Sequence, residues 1–203
     1  MHLPYIYHLL TTKSPSLHPS QYPTLIPILV GSTTPADERR YGSLLAPYLK
    51  DESNIFIVSS DFCHWGSRFG YTWYLPNLQA SLSGAKSDII VPPGHSLSKR
   101  QAPTEDGPAI WESIEAMDRL AMSAIETGEL DEFLRVVEQE VGNTICGRHP
   151  IGVVMAGLEI LRNHQQDANA TKGTFKFVRY EQSSKCQGVR DSSVSYASAF
   201  AVL

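Results

Sequence analysis

Hydrophobic and polar positions alternate in two different rhythms along this chain, and the rhythm sorts it into elements. Residues 24–30 (T-L-I-P-I-L-V) and 54–60 (N-I-F-I-V-S-S) are short apolar runs rich in β-branched residues, the pattern of buried strands. Pro27 costs the first run a ladder hydrogen bond and points to a bulge or an edge there. Between them, Thr34-Pro35 fits the N-cap and first turn of a helix over residues 35–50, with Tyr41, Leu44, Leu45 and Tyr48 expected on its buried face. Strand, helix, strand predicts a βαβ unit and hence an α/β fold with a mixed or mostly parallel sheet flanked by helices.

A short helix is expected over residues 2–10, with Pro4 near its start. Residues 76–108 are rich in Pro, Gly and Ser and lose periodicity. They read as a flexible surface insertion within a single domain spanning residues 1–203, with Ile89-Ile90-Val91 docking locally. Helical spacing resumes at Ala109: Ile110, Ile114, Met117, Ala121, Ala124 and Ile125 share one stripe, and Gly128 fits a C-cap. A second helix covers residues 130–141. A third, with Pro150 at its first position, runs to about residue 163 and is apolar nearly all round. Residues 174–180 and 194–202 alternate as strands.

Composition narrows the function classes. The 203 residues are 42% hydrophobic and 19% charged with a formal net charge of −4, so nucleic-acid binding through a basic face is not expected. No apolar run is long enough for a membrane span, and Met1-His2-Leu3-Pro4-Tyr5 is not a signal peptide. Three widely spaced cysteines fit reduced thiols and a cytoplasmic or nuclear protein.

The chemistry-bearing residues gather at two places. In V-S-S-D-F-C-H-W-G the apolar run ends in two serines, and Asp61, Cys63 and His64 follow where α/β sheets place ligands. Asp61 can orient the His64 imidazole and leave its other nitrogen as a base or ligand, while Cys63, facing the opposite side of an extended segment, reads as structural. In N-T-I-C-G-R-H-P, Cys146 precedes a helix and lies beside Arg148 and His149, a setting that favours thiolate. His149 is the one further histidine placed to supplement the set. Asp191 and Ser192 precede the last strand as turn formers or pocket residues. Cys186 reads as an exposed loop thiol.

At D-F-C-H-W-G, N-T-I-C-G-R-H-P-I-G and Q-S-S-K-C … D-S-S-V-S-Y-A the chain resembles the Memo family, over nearly its whole length outside residues 76–108. The resemblance implies a fold similar to class III extradiol dioxygenases and a pocket in which His64 and Cys146 are metal contacts and Asp61 is the motif aspartate; Arg148, His149, Asp191 and Ser192, from the reading of the residues, are expected around them. It implies copper or iron as the metal, and a role in redox signalling, phosphotyrosine-peptide recognition or cytoskeletal motility, as an adaptor rather than an enzyme. The alternatives are a non-haem-iron oxidoreductase and a non-functional fragment. In that family, strands and pocket histidines come before the segment matching Met1-His2-Leu3-Pro4-Tyr5. The chain is therefore expected to lack the first strands, to expose an apolar edge and to hold half of the pocket.

Overall fold

A computed structural model describes residues 2–78, 89–98, 102–103, 106–163 and 173–203, without the side chains of 139–141. The chain forms two compact units, Met1–Ser32 and Thr33–Leu203. In the first, helix α1 (Leu3–Lys13) starts with proline in its first turn, and His18 caps a short 3₁₀ turn at Pro19–Gln21. Tyr7 and Tyr22 meet edge to face. Residues 24–30 form no helix and join no ladder among the described residues, and Leu29 is 98% exposed.

The second unit begins with α2 (Pro35–Lys50). Thr34 Oγ1 accepts the Asp37 N–H, and Asp37 Oδ2 accepts the Thr34 N–H, a reciprocal cap that fixes the start of the helix. The buried face of α2 is Glu38, Gly42, Ala46 and Leu49. The expected stripe of Tyr41, Leu44 and Tyr48 is exposed instead, and Leu45 is half-buried. Backbone approach decides this. A Cβ on Gly42 would lie 2.6 Å from Ala156 Cβ and 2.8 Å from the Val153 carbonyl oxygen, so α2 and α5 (Arg148–Asn163) meet on small residues that bulky ones would hold apart. Helix α5 is buried all round over residues 151–158, and begins at Arg148, two residues ahead of the expected Pro150.

Helix α3 (Ile110–Thr127) buries all six expected stripe residues and ends at Gly128 with φ +79°, where a left-handed cap favours glycine. The next helix divides into α4 (Leu130–Leu134) and a π-helical turn, Arg135–Val141. Strands β4 (Phe175–Gln182) and β5 (Ser193–Ala201) pair antiparallel, with a bulge between Phe177 and Arg179. The short β1 (His64–Trp65) pairs antiparallel with β5, giving the order β1-β5-β4. A two-stranded piece, β2 (Trp73–Tyr74) with β3 (His95–Ser96), is also antiparallel. The core lies between α3, α4 and the inner side chains of this sheet, Phe175, Phe177 and Tyr180 among them.

The α/β class holds, with strands in a direction other than expected: every ladder among the described residues is antiparallel. Residues 54–60 do not form the expected strand. Phe56 and Val58 turn toward apolar neighbours while Ile55 is 89% exposed, so the side-chain alternation of a strand is present without a neighbouring strand. Periodicity records which residues want burial, and a ladder needs a second segment as well. Parts of the expected insertion, 79–88, 99–101 and 104–105, lie outside the described residues. Ile89 is buried against the core, as its apolarity requires. Among the described residues no helix is long and apolar enough to cross a membrane.

Candidate metal centre

Two segments build the site. The first runs into β1: the Phe62 N–H donates to the Ser195 carbonyl at 2.8 Å and the Ser195 N–H to the Cys63 carbonyl at 3.0 Å, which carries the β5 ladder back to residue 62. The second is the turn ahead of α5, held to the first by matched bonds. The Cys146 N–H donates to the Asp61 carbonyl at 3.3 Å, the Asp61 N–H to Cys146 Sγ at 3.2 Å, and the Gly147 N–H to Ser60 Oγ at 2.9 Å. Glycine is needed at 147 for closeness: a Cβ there would fall 2.3 Å from Ser60 Cβ and 2.6 Å from the Ser59 carbonyl oxygen.

His64 is gripped on every side but one. Thr144 Oγ1 accepts the His64 N–H at 2.8 Å and donates to the His64 carbonyl at 3.0 Å. Nδ1 faces two acceptors, the carbonyls of Phe62 at 2.9 Å and Thr144 at 3.1 Å, so the neutral ring carries its proton on Nδ1 and presents an Nε2 lone pair. Phe69 packs edge-on to the ring. Asp61 Oδ2 stands 3.9 Å from Nε2, beyond hydrogen-bonding distance. Backbone carbonyls, rather than Asp61, orient this imidazole, and Asp61 lies on the ligand side with Cys146.

Asp61, His64 and Cys146 each offer one donor atom, and the three atoms lie within 4.8 Å of one another. Asp61 and His64 are half-buried and Cys146 is exposed, so the cluster opens to solvent. A tetrahedral ion with bonds of about 2.0–2.3 Å draws its donors closer than this, which asks for small side-chain rotations. One imidazole, one thiol and one carboxylate suit copper or zinc. A facial iron triad takes two imidazoles and a carboxylate, a set these residues do not make.

The other expected residues have partners of their own. Arg148 is ion-paired with Glu138. His149 turns its Nδ1 to buried Glu38, 2.8 Å from Oε1, with Thr33 Oγ1 at 3.1 Å from the same nitrogen. Asp191 Oδ2 accepts the N–H groups of Gln187 and Gly188, both at 2.9 Å, which hold its carboxyl below the usual range in a turn, and the Ser192 carbonyl accepts from Ser184 Oγ. Cys63 is fully buried, and burial pushes its thiol well above the ordinary value. Cys186 is buried too, against expectation; its apolar surroundings push the thiol up to about 11, with Asp191 adding to the rise. Sequence reasoning missed Thr144, the clamp on His64, and Asp118, a buried carboxylate below it. Asp118 did leave a signal: spaced i+4 from Ile114 and i−3 from Ala121, it interrupts an apolar stripe.

The Memo-like protein family model matches residues 1–200. Protein MEMO1 of Homo sapiens is 38% identical over 197 residues, covering 97% of this chain and 52% of that protein. A MEMO1 family protein of Schizosaccharomyces pombe is 40% identical over 177 residues, covering 87% and 51%, and Protein MEMO1 of Xenopus laevis is 36% identical over 203 residues, covering 100% and 54%. The chain spans about half the length of the curated relatives it matches. With the family model running over almost the whole sequence, the chain belongs to the Memo-like family.

Proposed function

We propose that this protein binds a single copper(I) ion through Cys146 Sγ and His64 Nε2, with Asp61 as a weaker third donor, and that it serves as a signalling adaptor rather than an enzyme. The observation that carries the metal reading is the convergence of three donor atoms from two segments 85 residues apart, on the side of His64 that its hydrogen bonds leave open. Thiolate and imidazole are the donors copper(I) prefers, and carboxylate contributes least. The adaptor role, with a phosphotyrosine-containing peptide or a cytoskeletal signalling protein as partner, rests on family membership alone. The ligand set supplies no iron triad, so no oxygenase step is assigned to these residues.

Anaerobic titration of the reduced protein with copper(I) against a chromophoric chelator tests the metal reading. One equivalent is expected to bind, and Cys146→Ala and His64→Ala are each expected to weaken it by about 10-fold or more. Uptake unchanged in both variants sinks the assignment.

A further inference from the structure

Asp118 is fully buried on α3, in a stripe of apolar side chains. Burying a carboxylate is costly, and this one is satisfied on both oxygens. Oδ1 accepts the Cys63 N–H at 3.2 Å and the Asn143 Nδ2–H at 3.1 Å, and Oδ2 accepts the Tyr180 O–H at 2.8 Å. Ser195 Oγ lies 3.1 Å from the Tyr180 hydroxyl oxygen. Gln182 Nε2 donates to the Tyr180 oxygen at 3.0 Å and so fixes the Tyr180 hydroxyl from behind. One side chain thus ties the segment entering β1, the turn ahead of α5 and β4 to a single helix.

Two of those ties fall next to the metal centre. Cys63 immediately precedes His64. Asn143 immediately precedes Thr144, which clamps the His64 backbone and accepts from Nδ1, and Cys146 follows two residues on. Apolar packing alone would satisfy α3 here with a leucine. A leucine would offer no acceptor to the Cys63 amide or the Asn143 side chain, and the two ligand-bearing segments would lose their shared anchor.

We propose that Asp118 is the positioning residue of the Asp61–His64–Cys146 centre, holding its two segments in register through the Cys63 amide and the Asn143 side chain. Only the copper arm of the test rests on the metal reading given above.

Asp118→Leu, which removes the acceptor, tests the idea, with Asn143→Ala beside it to cut the tie to the turn while keeping the carboxylate. Ile125→Ala, a core loss on the same helix, serves as the destabilised control. Long-range ¹H–¹⁵N NMR of the metal-free protein at about pH 8, where an ordinary imidazole is neutral, reads the His64 tautomer. The native protein and Ile125→Ala are expected to hold the Nδ1–H form, while Asp118→Leu and Asn143→Ala shift toward the Nε2–H form that free imidazole prefers. Copper affinity is expected to fall about 10- to 100-fold in the same two variants and to stay within about twofold in the control. The inference is overturned if both variants keep the Nδ1–H tautomer. A tautomer shift in a protein that takes no copper upholds the positioning role and removes the metal reading.

Discussion

Gly147→Ala is the smallest change that should open the candidate centre. The backbone at 147 is not in the left-handed region, so alanine meets no conformational penalty of its own. Its entire cost is contact. The new methyl would sit 2.3 Å from Ser60 Cβ, and 2.6 Å from both the Ser59 carbonyl oxygen and Ser60 Oγ, where an ordinary contact is 3.4–4 Å. Two of those three atoms cannot swing away, so the turn must retreat from residues 59–61 by about 1 Å. Overpacking of this kind costs about 1–3 kcal/mol. Losing the Gly147 N–H to Ser60 Oγ bond adds about 1 kcal/mol, and the stiffer unfolded chain returns about 0.4–1 kcal/mol. The net is a destabilisation of about 2 kcal/mol, which for a chain of this size lowers Tm by about 4–8 °C. Scanning calorimetry reads the stability, and copper(I) titration should show affinity falling with it, because the Cys146–Asp61 bonds belong to the same seam. A Gly147→Ala protein with unchanged Tm and unchanged affinity would refute the claim that this close approach shapes the site.

Other expectations follow from the same structure. Burial raises the Asp118 carboxyl from 3.8 to about 6, so its contribution to stability is full below pH 3.8 and is lost as pH rises through about 6. The titratable neighbours Cys63, Tyr71 and Tyr180 are all shifted upward and stay neutral across that window. The shift corresponds to about 3 kcal/mol, and thermal melts between about pH 4 and 7 should show native and Asp118→Asn proteins diverging by that order; parallel curves contradict it. Gly42→Leu should separate α2 from α5 and cost at least about 3 kcal/mol, read by urea unfolding, since its Cβ alone would lie 2.6 Å from Ala156 Cβ. Ile55→Lys should leave Tm within about 1 °C, because the side chain is 89% exposed, and should raise the protein concentration at which light scattering begins.

What the sequence disclosed, and what it hid, divides along physical lines. Helices α3 and α5 and strands β4 and β5 were legible because each buries a face set by its own period, and the Thr34 and Gly128 caps are local chemistry. The face of α2 was not, because glycine and alanine carry little hydrophobic signal yet allow the closest helix approach. Pairing direction is a property of two segments and left no trace in either one. At the site, His64 and Cys146 stood out by residue type, and D-F-C-H-W-G and N-T-I-C-G-R-H-P carried the family. The role of Asp61 depended on a distance, 3.9 Å from Nε2, that spacing in sequence cannot supply. His149 looked available because buried Glu38, the acceptor that takes its Nδ1, lies 111 positions away.

X-ray absorption at the copper edge of the protein loaded with one equivalent of copper(I) tests the central claim most directly. One sulfur scatterer is expected at about 2.3 Å, an ordinary metal–thiolate length, with one or two lighter nitrogen or oxygen scatterers, and the sulfur shell is expected to vanish in Cys146→Ala. A spectrum with no sulfur shell, or one that keeps its sulfur in Cys146→Ala, would contradict that claim.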